Sequence, residues 1–348
     1  MKSVSIIDIK RITTRTLVAL AAIFSFGALV LTMLWRDRGS LDDIDIARSP
    51  TTHDLASPVT ATWFGVTTIL FDDGETQILV DGFVSRPTLF QVLTGRPVSN
   101  DVATINYFLN EYRIRRLAAI IPVHSHYDHA MDVGAIGNRT SASILGSEST
   151  AQVARGAGVP EDQIVVVDEG TAYTFGQFSV SFFESNHAAI GLRGSIPLAG
   201  TIDEPLTTPT PITSWREGGS YSIVISHPSG STLVQGSGGI KEAALDDVEV
   251  DVVMLGTAMI EGLGRDYFEQ YWQATVTSTG AAMVIPIHFD DYTRPFSVVE
   301  LLPTFLDDFS ETVLLMEEFR RTWDSDAQLY LPVFGEAMPI YPEREPEA

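Results

Sequence analysis

Residues 123–132 read VHSHYDHAMD and follow LAAIIPV (117–123), an apolar run that predicts a buried strand ending at His124. At an extended strand end alternate side chains share a face, so His124 and His126 can converge on one cation. A turn into a helix straight afterwards would swing Asp128 and His129 toward a neighbouring position. Imidazole and carboxylate without thiolate suit zinc, manganese or iron. The 348-residue chain has only seven histidines, three of them within six positions here, so the cluster stands out from background. There is no cysteine, which excludes a disulfide framework, a thiolate zinc site, a cysteine nucleophile and lipoprotein acylation.

Outward from this cluster the pattern is short β-rich runs broken by turns. VTATWFGV, TTILF and TQILVD come in quick succession around the turn signal DDGE at 72–75. Further strands are predicted at 142–146, 163–168, 221–226, 231–235, 251–256 and 281–287. Helical spacing covers 99–115, with Ser99 or Asn100 as N-cap, and also 147–156, 265–277, 297–309 and 311–323. Strands and helices alternate irregularly over nearly 280 residues, which suits packed sheets with helices outside, an α+β class. Residues 195–219, rich in Pro and Thr, are too long for an ordinary connector and are expected to shape specificity, shield a cleft or contact a partner. No G-x-S-x-G elbow or Walker pattern occurs, and GSGGIK resembles a phosphate loop only superficially.

Residues 17–35, LVALAAIFSFGALVLTMLW, carry no charge. Nineteen helical residues at ~1.5 Å each span about 28 Å, close to the roughly 30 Å hydrocarbon thickness of a bilayer. Lys2, Lys10, Arg11 and Arg15 precede the run, which favours a cytoplasmic N-terminus (1–16), a signal-anchor (17–35) and a body in the periplasm or exterior. A signal peptide cleaved near Ala28, with secretion of the body, and a buried core helix are the alternatives. Residues 36–58 read as a linker, 59–338 as one catalytic domain and 339–348 as a flexible tail. The formal charge is −23, and beyond residue 38 there are 16 basic against 43 acidic residues. A body that acidic repels phosphate backbones, so nucleic acid is not an expected partner.

The motif His-x-His-x-Asp-His, with TWFGVTTILFDDGETQILVDGF upstream, FFESNHAAI and VIPIHFDDY downstream, resembles the metallo-β-lactamase superfamily along nearly the whole body. The flanks TWFG, ILVD and PIHFDD look most like the branch with ascorbate-phosphate lactonases and N-acyl-phosphatidylethanolamine phospholipase D. The resemblance implies a four-layer αβ/βα sandwich with two metal sites at one edge. One would be held by His124, His126 and His187, the other by Asp128, His129 and His288. Zinc is the cofactor it implies first, one or two ions per chain, with Mn or Fe as alternatives. Asp81 falls at the end of the family's opening strands, where it would hold a ligand histidine or bound water, or simply sit in a turn before Gly82.

One position departs from the family. Where many superfamily hydrolases carry a bridging aspartate, LVQGSGGI places Ser237, a weak neutral ligand, so the second metal should be held less tightly. One lactamase subclass with the same motif is similar in having serine near that place. Asp290 and Asp291 could support His288, bind substrate or cap a turn, and His53 and His227 receive no role. The implied activity is hydrolysis by metal-activated water of an ester, lactone, amide or phosphodiester, from a small-molecule or lipid-like substrate, with Asp128 orienting the nucleophile. An inactive binding or scaffold protein on the same fold is the alternative, with Ser237 its best argument.

Overall fold

The computed structural model describes residues 6–52 and 56–341, with side chains from residue 16 onward. His53 and the last seven residues of the expected tail lie outside the described residues. The strands, in chain order, are β1 (Ala47–Arg48), β2 (Thr60–Trp63), β3 (Ile69–Asp72), β4 (Gln77–Val80), β5 (Leu117–Ile121), β6 (Ser143–Gly146), β7 (Ile164–Val166) and β8 (Ala172–Phe175). They continue with β9 (Phe178–Ser185), β10 (Ser220–His227), β11 (Gly230–Gln235), β12 (Val252–Gly256), β13 (Met283–Ile287), β14 (Gln328–Leu331) and β15 (Ala337–Pro339). The helices are α1 (Ile6–Arg36), α2 (Leu89–Thr94), α3 (Val102–Glu111), α4 (Tyr127–Ala130), α5 (Val133–Thr140), α6 (Glu148–Gly156), α7 (Arg265–Trp272) and α8 (Phe309–Trp323).

Two mixed sheets face each other. One runs β15-β2-β3-β4-β5-β6-β7, the other β1-β14-β13-β12-β11-β10-β9-β8. Strands β2 to β6 of the first sheet are largely buried on both faces, and their alternation sorts side chains between two cores. Ile69, Phe71, Ile78, Val80, Ala119 and Ile121 meet the second sheet, while Leu70, Leu79 and Ile120 point the other way. The outward set packs on Ile105 and Phe108 of α3, Val133 and Ile136 of α5, and Val153 of α6. On the far side, Phe268 and Trp272 of α7 and Phe309, Val313, Met316 and Phe319 of α8 cover the second sheet. The result is the expected four layers, helix, sheet, sheet, helix.

Three local expectations need correction. The run at 117–123 leaves the ladder at Ile121, not His124. Pro122 has no N–H to donate, and Val123 N goes instead to Asp81 Oδ1 at 2.9 Å. The cap of α3 is Asp101, whose Oδ1 accepts from Ala103 N and Thr104 N, because Asn100 is committed to Met131 O and Asp132 Oδ1. The helix expected over 297–309 is absent: residues 297–308 form turns and irregular chain, and Phe309 opens α8. Pro303 interrupts the stretch, and Leu301 pairs with Asp290 as an isolated bridge.

From Thr16 on, helix α1 exposes most of its apolar side chains, among them Phe24 at 80%. Its segment Thr16–Arg36 has a mean hydropathy of 2.5, with none of the apolar window buried. That removes the buried-core alternative and leaves one long apolar helix near the N-terminus. Residues after it do not hang free. Arg38 ion-pairs with Asp291, a turn at Leu41–Asp43 is capped by Ser40, and β1 pairs with β14. At the other end, Ile340 and Tyr341 of the expected tail are buried, Tyr341 hydroxyl pairing with Thr232 Oγ1 at 2.7 Å.

Candidate metal centre

The chemistry-bearing residues gather where strands end. Asp81 follows β4, His187 lies two residues past β9, Ser237 two past β11, and His288 directly follows β13. His124 and His126 lie on the bend after β5, and α4 begins at Tyr127 with His126 as its N-cap. Backbone bonds from His129 N and Ala130 N to His126 O turn the chain at once, which carries Asp128 and His129 to a position beside that of His124 and His126. The bend is held from outside: Ser125 N donates to Glu217 O and Tyr221 N to Val123 O. Gly218, at φ +69, is required there, since a Cβ would lie 2.3 Å from Ser125 Oγ.

All six residues expected as ligands come together in two sets. His124, His126 and His187 form one, and Asp128, His129 and His288 the other, each with its donor atoms within 4.8 Å of one another. The sets adjoin, with the His124 and His129 ring centroids 4.0 Å apart, while within the second set His129 and His288 stand 5.1 Å apart. His124 Nε2 stands 2.9 Å from His126 Nδ1. Asp128 Oδ2 lies 3.7 Å from His129 Nε2 and 3.6 Å from His288 Nε2.

Hydrogen bonds outside the sets fix two tautomers. His187 Nδ1 can only donate to the Ala188 carbonyl, at 2.8 Å, which leaves its Nε2 as a lone pair. His129 Nδ1 meets Asp81 Oδ2 at 2.7 Å, leaving Nε2 toward Asp128. Burial and the neighbouring imidazoles hold His124 well below its ordinary pKa. His126 is pushed down to about 3, chiefly by burial. Burial works against charge on Asp128 too, but His129 and His288 outweigh it and hold its carboxyl well below the usual range. At His129 burial is likewise outweighed, here by Asp81 and Asp128, and the pKa lies above the ordinary value. Three imidazoles held below their ordinary pKa, His124, His126 and His187, and an ionised carboxylate, closely spaced and without thiolate, are a donor set that fits a divalent cation.

Asp81 is more than a turn residue. It sits at φ +55, a strained conformation for a non-glycine, and its two oxygens tie His129 to the 123–126 bend. His288, at φ +59, is braced by its N–H to Val66 O at 2.9 Å. Phe289 beside it stacks between Trp63 (4.9 Å) and Phe309 (4.4 Å). Asp290 accepts from Val66 N and faces Arg86, and Asp291 accepts from Arg38 and Thr293, so both brace the His288 loop and Asp291 also caps a turn. Neither lines the cleft. Ser237 does line it, with its hydroxyl donated to Asn186 O at 3.1 Å. His227 is remote from the centre, 3.7 Å from Asp73.

Sequence reading missed Asp132, Tyr292 and Arg38. Asp132 accepts from Val84 N, Ser85 N and Asn100 Nδ2, lashing the motif helix to the chain after β4. Its spacing four residues beyond Asp128 was the available signal. Tyr292 and Arg38 carried none, since their contacts arise from the folded loop 288–301.

Comparison with known proteins agrees with this geometry. A profile of the metallo-beta-lactamase superfamily matches residues 61–234, half of the chain. A metal-dependent hydrolase of Rhizobium etli is 27% identical over 37% of this chain and 47% of its own length. The chain thus spans about half of that relative. A metal-dependent hydrolase of Pyrobaculum islandicum is 24% identical over 58% of this chain and 73% of its own. A crystal structure of a possible metal-dependent hydrolase from Veillonella parvula DSM 2008 is similar in fold, with a TM-score of 0.50, 14% identity, 82% of this chain and all of that one covered.

Proposed function

Because the chain belongs to the metallo-β-lactamase superfamily, we propose that it is a membrane-tethered, zinc-dependent hydrolase acting on an ester, lactone, amide or phosphodiester. The single observation that carries this reading is the meeting of five imidazoles and one carboxylate, from residues 124 to 288, in two adjoining sets. His124, His126 and His187 would hold one ion and Asp128, His129 and His288 the second. A bound cation supplies Lewis acidity and brings the pKa of water toward neutrality. The chain's own residues do the rest. Asp128, ionised and placed between His129 and His288, would orient the attacking water and, with the second ion unbound, would take its proton at Oδ2. Asp81 fixes the His129 ring so that Nε2 faces the centre. With Ser237 hydrogen-bonded to Asn186, no carboxylate bridges the two sets from that side, which favours weaker binding of the second ion.

The exposed apolar segment Thr16–Arg36 of α1, preceded in sequence by Lys2, Lys10, Arg11 and Arg15, supports an inner-membrane anchor with the body in the periplasm or exterior. Carbonate-resistant membrane association and protease accessibility of the body in spheroplasts test it, and release of the body after cleavage near Ala28 would replace the anchor by a signal peptide. The activity is tested by metal analysis of purified protein together with a panel of generic substrates. His126→Ala should lose metal and turnover together, whereas full turnover by metal-stripped His126→Ala protein would overturn the mechanism.

A further inference from the structure

The cleft over the two sets has a volume of about 220 Å³ and is walled by Ile190, Pro197, Leu198, Ile212, Ala258 and Met259. Besides the candidate ligands, its polar side chains are Ser237, Tyr127 and Tyr292, the two phenol rings standing edge to face with centroids 6.4 Å apart. Among the described residues no Lys or Arg lines it. Arg86 is buried behind, committed to Phe64 O and Asp290. Arg193 stands exposed on the outer loop and is not part of the wall. Resting on the metallohydrolase reading, we infer that this cleft takes a small uncharged carbonyl compound, an ester, lactone or amide with a compact apolar acyl portion, and rejects phosphodiesters.

The physical reason is desolvation. A phosphodiester carries a full negative charge on its non-bridging oxygens wherever it binds. A bound cation pairs one of those oxygens, and a guanidinium or ammonium donor is what pairs the other, because leaving charge unpaired against apolar walls is costly. Here the walls offer carbon, and the chain's net charge of −23 adds repulsion. A neutral carbonyl compound has the opposite balance. Its apolar part gains from contact with Ile190, Leu198 and Met259, and its carbonyl needs only a phenol and the centre itself. A phenol hydroxyl both donates and accepts, so Tyr292 or Tyr127, each lining the cleft, can donate to the substrate oxygen. The volume, below the ~300 Å³ at which drug-sized pockets begin, admits a short acyl or lactone ring but not a whole lipid chain.

The test separates binding from turnover. Zinc-loaded full-length protein in detergent is titrated with 2-piperidinone, a neutral unreactive lactam, and with dimethyl phosphate, an anionic diester. Turnover of 4-nitrophenyl acetate, a neutral δ-lactone and bis(4-nitrophenyl) phosphate is measured alongside, each rate divided by its hydroxide-promoted rate. The lactam should bind at least tenfold tighter than dimethyl phosphate, and normalised turnover should follow the same order. Ile190→Arg, at the half-buried rim, should invert the binding order, while Ile190→Gln should keep it. Tighter binding of dimethyl phosphate by the wild type, binding of neither ligand, or an unchanged order in Ile190→Arg overturns the inference. Selective lactam binding with no turnover of any substrate would instead sink the hydrolase reading and leave the cleft's selectivity standing.

Discussion

Arg38, two residues past the end of α1, places Nη1 2.8 Å from Asp291 Oδ2, an ion pair across 253 positions of sequence. The same nitrogen donates to Leu301 O, and Asp291 also receives Arg294 at 3.3 Å. The segment that leaves the apolar helix is thereby fastened to the loop carrying His288, whose φ of +59 needs bracing. Arg38→Ala leaves a buried carboxylate with one cation fewer and should cost about 1–3 kcal/mol of stability, read by urea denaturation. Metal competition should show the Asp128, His129, His288 set weakened more than the three-histidine set. Equal weakening of both, or of neither, would show that the fastening does not reach His288.

Asp81 offers a sharper test of how the ligand rings are aimed. Asp81→Asn keeps the shape but not the charge facing His129 Nδ1, and Asp81→Ala removes both partners of His129 and Val123 N. Loss of such an outer partner typically costs 10–100-fold in metal affinity. Chelator competition should place Asn between wild type and Ala.

Ser237→Asp should raise affinity for the second ion at least tenfold, because a carboxylate at the cleft wall adds charge where the hydroxyl adds none. Stoichiometry against free zinc would rise toward two ions at lower concentration. An unchanged titration would mean that the side chain stays turned to the Asn186 carbonyl.

A pH effect is expected away from the centre. Asp307 is 3% exposed, and burial together with the Glu261 carboxylate pushes its pKa well above the usual range. The folded state therefore holds a proton that the unfolded chain gives up at lower pH. The stability this contributes is fully present below the unfolded pKa of about 4 and is lost as pH rises through the raised folded value. Asp307→Asn stays neutral, so its Tm advantage over wild type should grow between pH 5 and pH 8. A difference independent of pH would contradict the assignment.

Much of the architecture was legible because local pattern and burial agree. The period-two runs of β2 to β6 put alternate side chains in two cores, and the His-x-His-x-Asp-His spacing needed only a strand end followed by a helix turn. Legibility failed where distant partners decide. Apolar spacing at 297–309 looked helical, but Pro303 and the pairing of Leu301 with Asp290 and Arg38 made it a loop. Asp101 displaced Asn100 as a cap because Asp132, remote in sequence, claimed the Asn100 amide.

From the sequence alone came the donor types, the absence of thiolate, the strand ends on which the donors sit and the apolar N-terminal span, since each depends on residue identity and short-range periodicity. The tertiary structure decided which donors share a set, that Asp81 grips His129, that Arg38 grips Asp291, and that among the described residues no Lys or Arg lines the cleft over the centre. Those relations depend on how two sheets and their loops close over one another, and contacts between residues far apart in the chain leave no periodic trace in it.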